Sequence, residues 1–148
     1  MSIPVLFDPR LPAFEISVPG GIRGDVIWKF HVYRIALFLS YLARGDVRGH
    51  QFGTRWQGLT EQLTRSVSSI GANVAEGYGR SRPMDRARFY DMAAGSIREA
   101  ITWYDASRLY LGDELADERI EQLTELRRML HGALRALRAL PPDTRLFG

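Results

Sequence analysis

The chain has 148 residues, of which 45% are hydrophobic and 25% charged; that balance suits one globular domain with its own core and excludes a disordered polymer. It has no cysteine, which excludes a disulfide framework, a thiolate metal site and a cysteine nucleophile. The net charge is only +3 for a pI of about 9.6, and all 20 basic residues except Lys29 are arginine, so the placement of the guanidinium groups matters more than their total.

Residues 1–24 carry Pro4, Pro9, Pro12 and Pro19 among scattered apolar residues, the pattern of an irregular, extended N-terminal arm that is mobile or docks on a neighbour. They lack a basic segment followed by an apolar one, so no signal peptide is expected. No window of 18 consecutive apolar residues occurs, so no membrane contact is expected and the cytoplasm is the default location.

A first helix is predicted over Asp25–Arg44. Trp28, Val32, Ile35, Leu39 and Leu42 form one apolar stripe, and Phe30, Tyr33, Leu37 and Tyr41 a second. Two apolar faces predict burial on two sides, the second at a subunit interface. Four glycines in residues 45–58 predict a loop. A second helix over Leu59–Gly79 is carried by Leu59, Leu63, Val67, Ile70 and Val74. A third over Met84–Leu111 is carried by Phe89, Ala93, Ile97, Ala100, Tyr104 and Leu111, with Trp103 beside them, and Gly112-Asp113 marks its stop.

The fourth helix, Asp117–Leu140, repeats Leu123, Leu126, Leu130, Ala133, Leu137 and Leu140 in steps of three and four. Acidic residues sit at its start, arginines at its end, and Pro141-Pro142 stops it. With almost no strand signal, the expected fold is all-α: an antiparallel up-and-down four-helix bundle over residues 25–140, with the arm before it and a tail at 141–148.

The usual catalytic patterns are missing. His31, His50 and His131 share no i, i+3 or i+4 spacing, so neither a metal site nor a catalytic residue is expected. Arg127 and His131 have only three residues between them, too few for the Arg–His pair of helical ribonucleases, which leaves a cryptic nuclease as a remote alternative. Ser66, Ser68 and Ser69 have no local base, no phosphate loop occurs, and Glu76 and Glu99 have arginines nearby, as in a structural ion network. No cofactor is implied.

The corner between the second and third helices is more informative. Arg80, Arg82, Arg86 and Arg88 fall within nine residues, opposed only by Asp85, with Arg65 further back on the second helix and Tyr78, Phe89 and Tyr90 close by. Arginines with neighbouring aromatics suit phosphates and unpaired bases. The alternative is a solvated corner paired with Glu76, Asp85 or Asp91.

The stretch SSIGANVAEGYGRS, followed by FYDMAAGSIREA, resembles the 23S ribosomal RNA intervening-sequence proteins, or four helix bundle proteins. Ser69, Ile70, Asn73, Val74, Ala75, Glu76, Gly77, Gly79 and Arg80 fall in register with that pattern, then Ala93, Gly95, Ser96, Ile97 and Glu99. The first helix, VIWKFHVYRIALFL, is similar to the family's Trp-containing opening helix, and the closing RRML helix also fits. The resemblance covers about residues 25–140; the arm is longer than usual and the 45–58 loop departs from the common pattern.

The resemblance implies a non-enzymatic, cytosolic bacterial bundle that assembles as a homopentamer. It also implies, through a related branch in diversity-generating retroelements, binding of RNA or DNA and of a partner such as a reverse transcriptase through basic surfaces. A protein–protein scaffold without a nucleic-acid role is the alternative. Asn73, Glu76 and Arg80 share one helical face that Ser96 and Glu99 are placed to meet, so an inter-helix polar network is expected, with Gly71, Ala94 and Gly95 allowing close approach and Gly77 and Gly79 unwinding the helix end. Arg65, Arg80, Arg82, Arg86 and Arg88 are the expected phosphate contacts.

Overall fold

The computed structural model describes residues 3–50 and 53–147; the expected arm, loop and tail include Met1, Ser2, Gln51, Phe52 and Gly148, which lie outside the described residues. The chain is all-helical, with no strand among the described residues. Four long helices dominate: α3 (His31–Arg48), α4 (Gly53–Tyr78), α5 (Pro83–Ala106) and α7 (Asp113–Arg138). Short helices α1 (Leu11–Ser17), α2 (Gly20–Arg23) and α6 (Arg108–Leu111), and 3-10 turns at Val5–Phe7 and Val26–Lys29, fill the rest. Helix α4 packs on α3 and α5, and α7 packs on α5 and α3.

Local chemistry sets the ends. Asp25 accepts from the Ile27 N–H at 3.0 Å and caps the second 3-10 turn, so α3 begins six residues after the predicted start. At its other end α3 runs on to Arg48, and α4 begins at Gly53, so the predicted 45–58 loop is largely helical: Gly45, Gly49 and Gly58 are tolerated in or beside helices, and the break falls near Gly53 at φ +56°. Pro83 opens α5 at a position where its missing N–H costs nothing. Gly112 at φ +86° separates α6 from α7, whose first turn carries Asp113 and Glu114. Arg108 binds Asp105, Asp113 and Asp117 across this junction, and those carboxylates, Asp117 foremost, hold its guanidinium charged well beyond the usual range.

The core follows the apolar periods. Leu63, Val67, Ile70 and Val74 of α4, Ala93, Ile97, Ala100 and Tyr104 of α5, and Leu123, Leu126 and Leu130 of α7 are buried. On α7 the seam shifts by one residue: Leu134 is buried, Ala133 only half so, and Leu140 lies beyond the helix end and is exposed.

The arm differs most from expectation. Its described residues are not extended: Val5, Leu11, Phe14 and Val18 are buried against their own chain. Phe14 lies 5.4 Å from Phe38 and 5.2 Å from Tyr41, ring centre to ring centre, so the second apolar face of α3 is partly covered by the arm. Polar locks hold it down. The Val5 N–H donates to Glu125 at 2.8 Å, and Gln122 donates to Asp8 at 3.0 Å. Arg10 clamps the same Asp8 carboxylate and, as the main cause, holds its pKa below the ordinary value.

Candidate nucleic-acid interface

Helix α4 ends with carbonyls that need partners. Gly79 does not supply the left-handed turn that usually satisfies them, because the only positive-φ glycines among the described residues are Gly53 and Gly112. Arg86 takes that role. Its guanidinium donates to the Tyr78 carbonyl at 2.6 Å and to the Arg80 carbonyl at 3.2 Å, and lies 4.7 Å from the centre of the Tyr78 ring. Arg86 is therefore buried, a clamp on the turn rather than an outward-facing cation. Phe30 stacks beneath it against Tyr78 and Tyr90 at 5.9 and 5.6 Å, and burial pushes the Tyr90 phenol up to about 12.

The other four predicted contacts remain on the surface. Arg80 is exposed, pairs with Glu76 one turn back and lies 4.9 Å over the Phe89 ring. Arg65, Arg82 and Arg88 are exposed and have no carboxylate partner among the described residues. Nearby Asp91 is engaged by Arg138 at 2.6 Å. Sequence reasoning missed one cation: the Leu146 N–H donates to the Ser81 carbonyl at 2.7 Å, which ties the C-terminal tail to the corner and brings exposed Arg145 there. Nothing in the local sequence signals that return.

The expected inter-helix network does not form among the described residues. Asn73 donates to the Ser69 carbonyl, Ser96 to the Met92 carbonyl, Glu99 accepts from Trp103, and Glu76 holds Arg80, each within its own helical stretch. The reason is steric as well as polar, since another residue makes the close α4–α5 contact. A Cβ on Gly77 would meet Phe89 Cβ at 2.8 Å and the Arg86 carbonyl oxygen at 3.1 Å. Gly77 stays helical instead of unwinding; Gly71 faces Leu37 and Ala36 of α3, and Gly95 faces open space.

The remaining candidates stay apart. Ser66, Ser68 and Ser69 donate to carbonyls of α4 itself. His31 and His131 are exposed, Arg127 is half-buried, and no group of three potential ligands for a metal occurs among the described residues.

A second polar cluster lies deeper. Arg119 of α7 grips both oxygens of Asp46 at 2.8 and 3.0 Å, and the Tyr104 hydroxyl donates to the same carboxylate at 2.8 Å. Arg119 also donates to Gln122 at 3.2 Å, which leads on to Asp8 of the arm. All of these are buried, and burial foremost, with Asp46 beside it, pushes the Tyr104 phenol well above its ordinary pKa. This cluster fastens α3, α5, α7 and the arm together.

Residues 51–132 match the family model described as 23S rRNA-intervening sequence protein, a span of more than half the chain that includes α4, α5 and the corner between them. No curated protein matches the chain's sequence.

Proposed function

We propose, from the premise that this chain belongs to the 23S rRNA-intervening sequence protein family, that it is a non-enzymatic binding protein whose α4–α5 corner grips phosphates of RNA or DNA. One observation carries this reading: exposed Arg82 and Arg88, and Arg65 further back on α4, lack carboxylate partners among the described residues, while buried Arg86 holds the turn that presents Arg82 and Arg88. Arg80, over Phe89, and Arg145 extend the surface. Guanidinium forks on an exposed corner match phosphate oxygens well. The family's name points to ribosomal RNA, and a ribonucleoprotein or reverse transcriptase is the protein partner this reading admits.

The finer architecture belongs to the same proposal: an antiparallel four-helix bundle over residues 25–140, carrying the arm and the tail. Its support is pairwise. Gly71 of α4 meets Ala36 of α3, and Gly77 near the end of α4 meets Phe89 near the start of α5. Arg138 at the end of α7 pairs with Asp91 near the start of α5. Assembly as a cytosolic homopentamer rests on the family resemblance; exposed Met84 and Met92 are apolar surface available for it.

The test is fluorescence anisotropy with a short labelled RNA, comparing wild type with an Arg65/Arg82/Arg88→Ala variant of matched oligomeric state. Loss of three charge-assisted phosphate contacts is expected to weaken binding at least about tenfold. Equal binding by both proteins would favour the scaffold alternative, in which the corner arginines are merely solvated.

A further inference from the structure

The arm and the C-terminal half of α3 enclose a cleft of about 490 Å³, lined by Arg10, Tyr41, Arg44, Asp46, Arg48 and Arg119 among others. We infer that this cleft is a second phosphate-binding site, independent of the α4–α5 corner. It lies far from that corner. Phe30, beside Tyr78 and Tyr90, stands at the start of α3, whereas Arg44 and Arg48 lie in its last turns, about 20–27 Å along at 1.5 Å per residue.

The charge accounting leads to an anion. Four arginines border the cleft, and the carboxylate that lines it, Asp46, is already engaged, as are Asp8 and Glu118, which pair with Arg10 and Arg119. Both Asp46 oxygens are held by Arg119, with Tyr104 on one of them. Both Asp8 oxygens are held by Arg10, with Gln122 on one. Glu118 divides its oxygens between Arg10 at 3.3 Å and Arg119 at 3.5 Å.

Arg44 and Arg48 are left over. Both are exposed, Arg44 makes only a 3.4 Å contact with Ser40 Oγ, and neither has a carboxylate partner among the described residues. They stand four apart on one helix, a like-charged spacing that is unfavourable until something neutralises it. The helix dipole accounts for positive charge at this end of α3, but not for its gathering around a concavity with Arg10 of another segment. Two guanidinium forks converging from one helix match the oxygens of a phosphate group. Tyr41, 47% exposed at the rim, offers a ring on which an attached sugar or base can lie.

The phosphate comes from a nucleic-acid strand or from a free ion, and one experiment separates the two. Arginine Nε–Hε resonances are followed by NMR at low ionic strength in an Arg82→Ala/Arg88→Ala background, which weakens the α4–α5 corner without touching the cleft. The probes are inorganic phosphate and, separately, a short oligothymidylate, with chloride at matched ionic strength as control. Saturable shifts of Arg44 and Arg48 are expected, with a shift of Arg10 across the cleft that disappears in Arg44→Gln/Arg48→Gln; both replaced side chains are exposed, so that variant keeps the wild-type Tm.

Binding of the oligonucleotide about tenfold or more tighter than phosphate assigns the site to a strand, and comparable or weaker binding assigns it to the free ion. No shift with either probe up to about 10 mM, or the same shift with chloride, overturns the inference. Because the corner is already weakened in this background, a null result here leaves the corner reading to its own test.

Discussion

Replacing Arg119 by methionine tests how the molecule is fastened together. The substitution removes the two hydrogen bonds to Asp46 and the one to Gln122, and leaves a carboxylate only 7% exposed with Tyr104 as its remaining hydrogen-bond donor. Stranding one member of a buried ion pair costs about 3–5 kcal/mol. A chain of 148 residues unfolds with an entropy near 0.3 kcal/mol/K at about 2.1 cal/mol/K per residue, so the expected fall in Tm is about 10–16 °C. Urea unfolding followed by circular dichroism, at fixed protomer concentration, reads the free energy directly.

Removing the partner as well gives the decisive comparison. Asp46→Leu/Arg119→Met leaves the Tyr104 hydroxyl, in a residue 1% exposed, without its acceptor, which costs about 1–3 kcal/mol. Adding Tyr104→Phe to that pair is therefore expected to recover most of the loss. A change below about 1 kcal/mol for Arg119→Met alone would refute the reasoning, because that is the behaviour of a solvated pair.

Three other outcomes follow from the same geometry. Gly77→Ala is expected to destabilise by about 1–3 kcal/mol, since its Cβ meets an immobile carbonyl, whereas Gly71→Ala, which meets the flexible end of Leu37 at 3.3 Å and Ala36 at an ordinary 3.8 Å, is expected to be neutral or slightly stabilising; thermal melts of both check the contrast. Arg86→Ala is expected to cost about 2–3 kcal/mol in urea unfolding by freeing the Tyr78 and Arg80 carbonyls, with Arg86→Lys recovering only part because an ammonium lacks the fork. The Tyr90 and Tyr104 pKa values are raised in the fold, so their stabilising contribution is complete below about pH 10 and is lost as pH rises through the folded values, about 12 for Tyr90; ultraviolet titration is expected to show these two phenols ionising only together with unfolding.

Much of the helical content was legible because a 3.6-residue period survives wherever one helix face is buried, as in Leu63, Val67, Ile70 and Val74. The arm was not: Leu11, Phe14 and Val18 do keep a helical i, i+3, i+7 spacing, but Pro9, Pro12 and Pro19 among them argued for irregular chain, and buried Val5 stands outside that period. The Asp46–Arg119 pair was hidden for another reason. Its members stand 73 residues apart, and Asp46 fell in a segment whose glycines argued for a loop. Composition located the corner arginines, but all looked alike there. What separates Arg86 from Arg82 and Arg88 is the need of α4's last carbonyls for donors, a requirement of the folded helix end rather than of the local sequence.

The central claim, that the α4–α5 corner is a phosphate-binding surface, is tested most directly by the salt dependence of RNA binding. Log affinity against log salt falls by about 0.7 per phosphate contacted on a single strand. Arg82→Ala/Arg88→Ala, which leaves the clamp at Arg86 intact, is therefore predicted to reduce that slope by about 1.4 along with the affinity. An unchanged slope in a variant of wild-type stability would contradict the account.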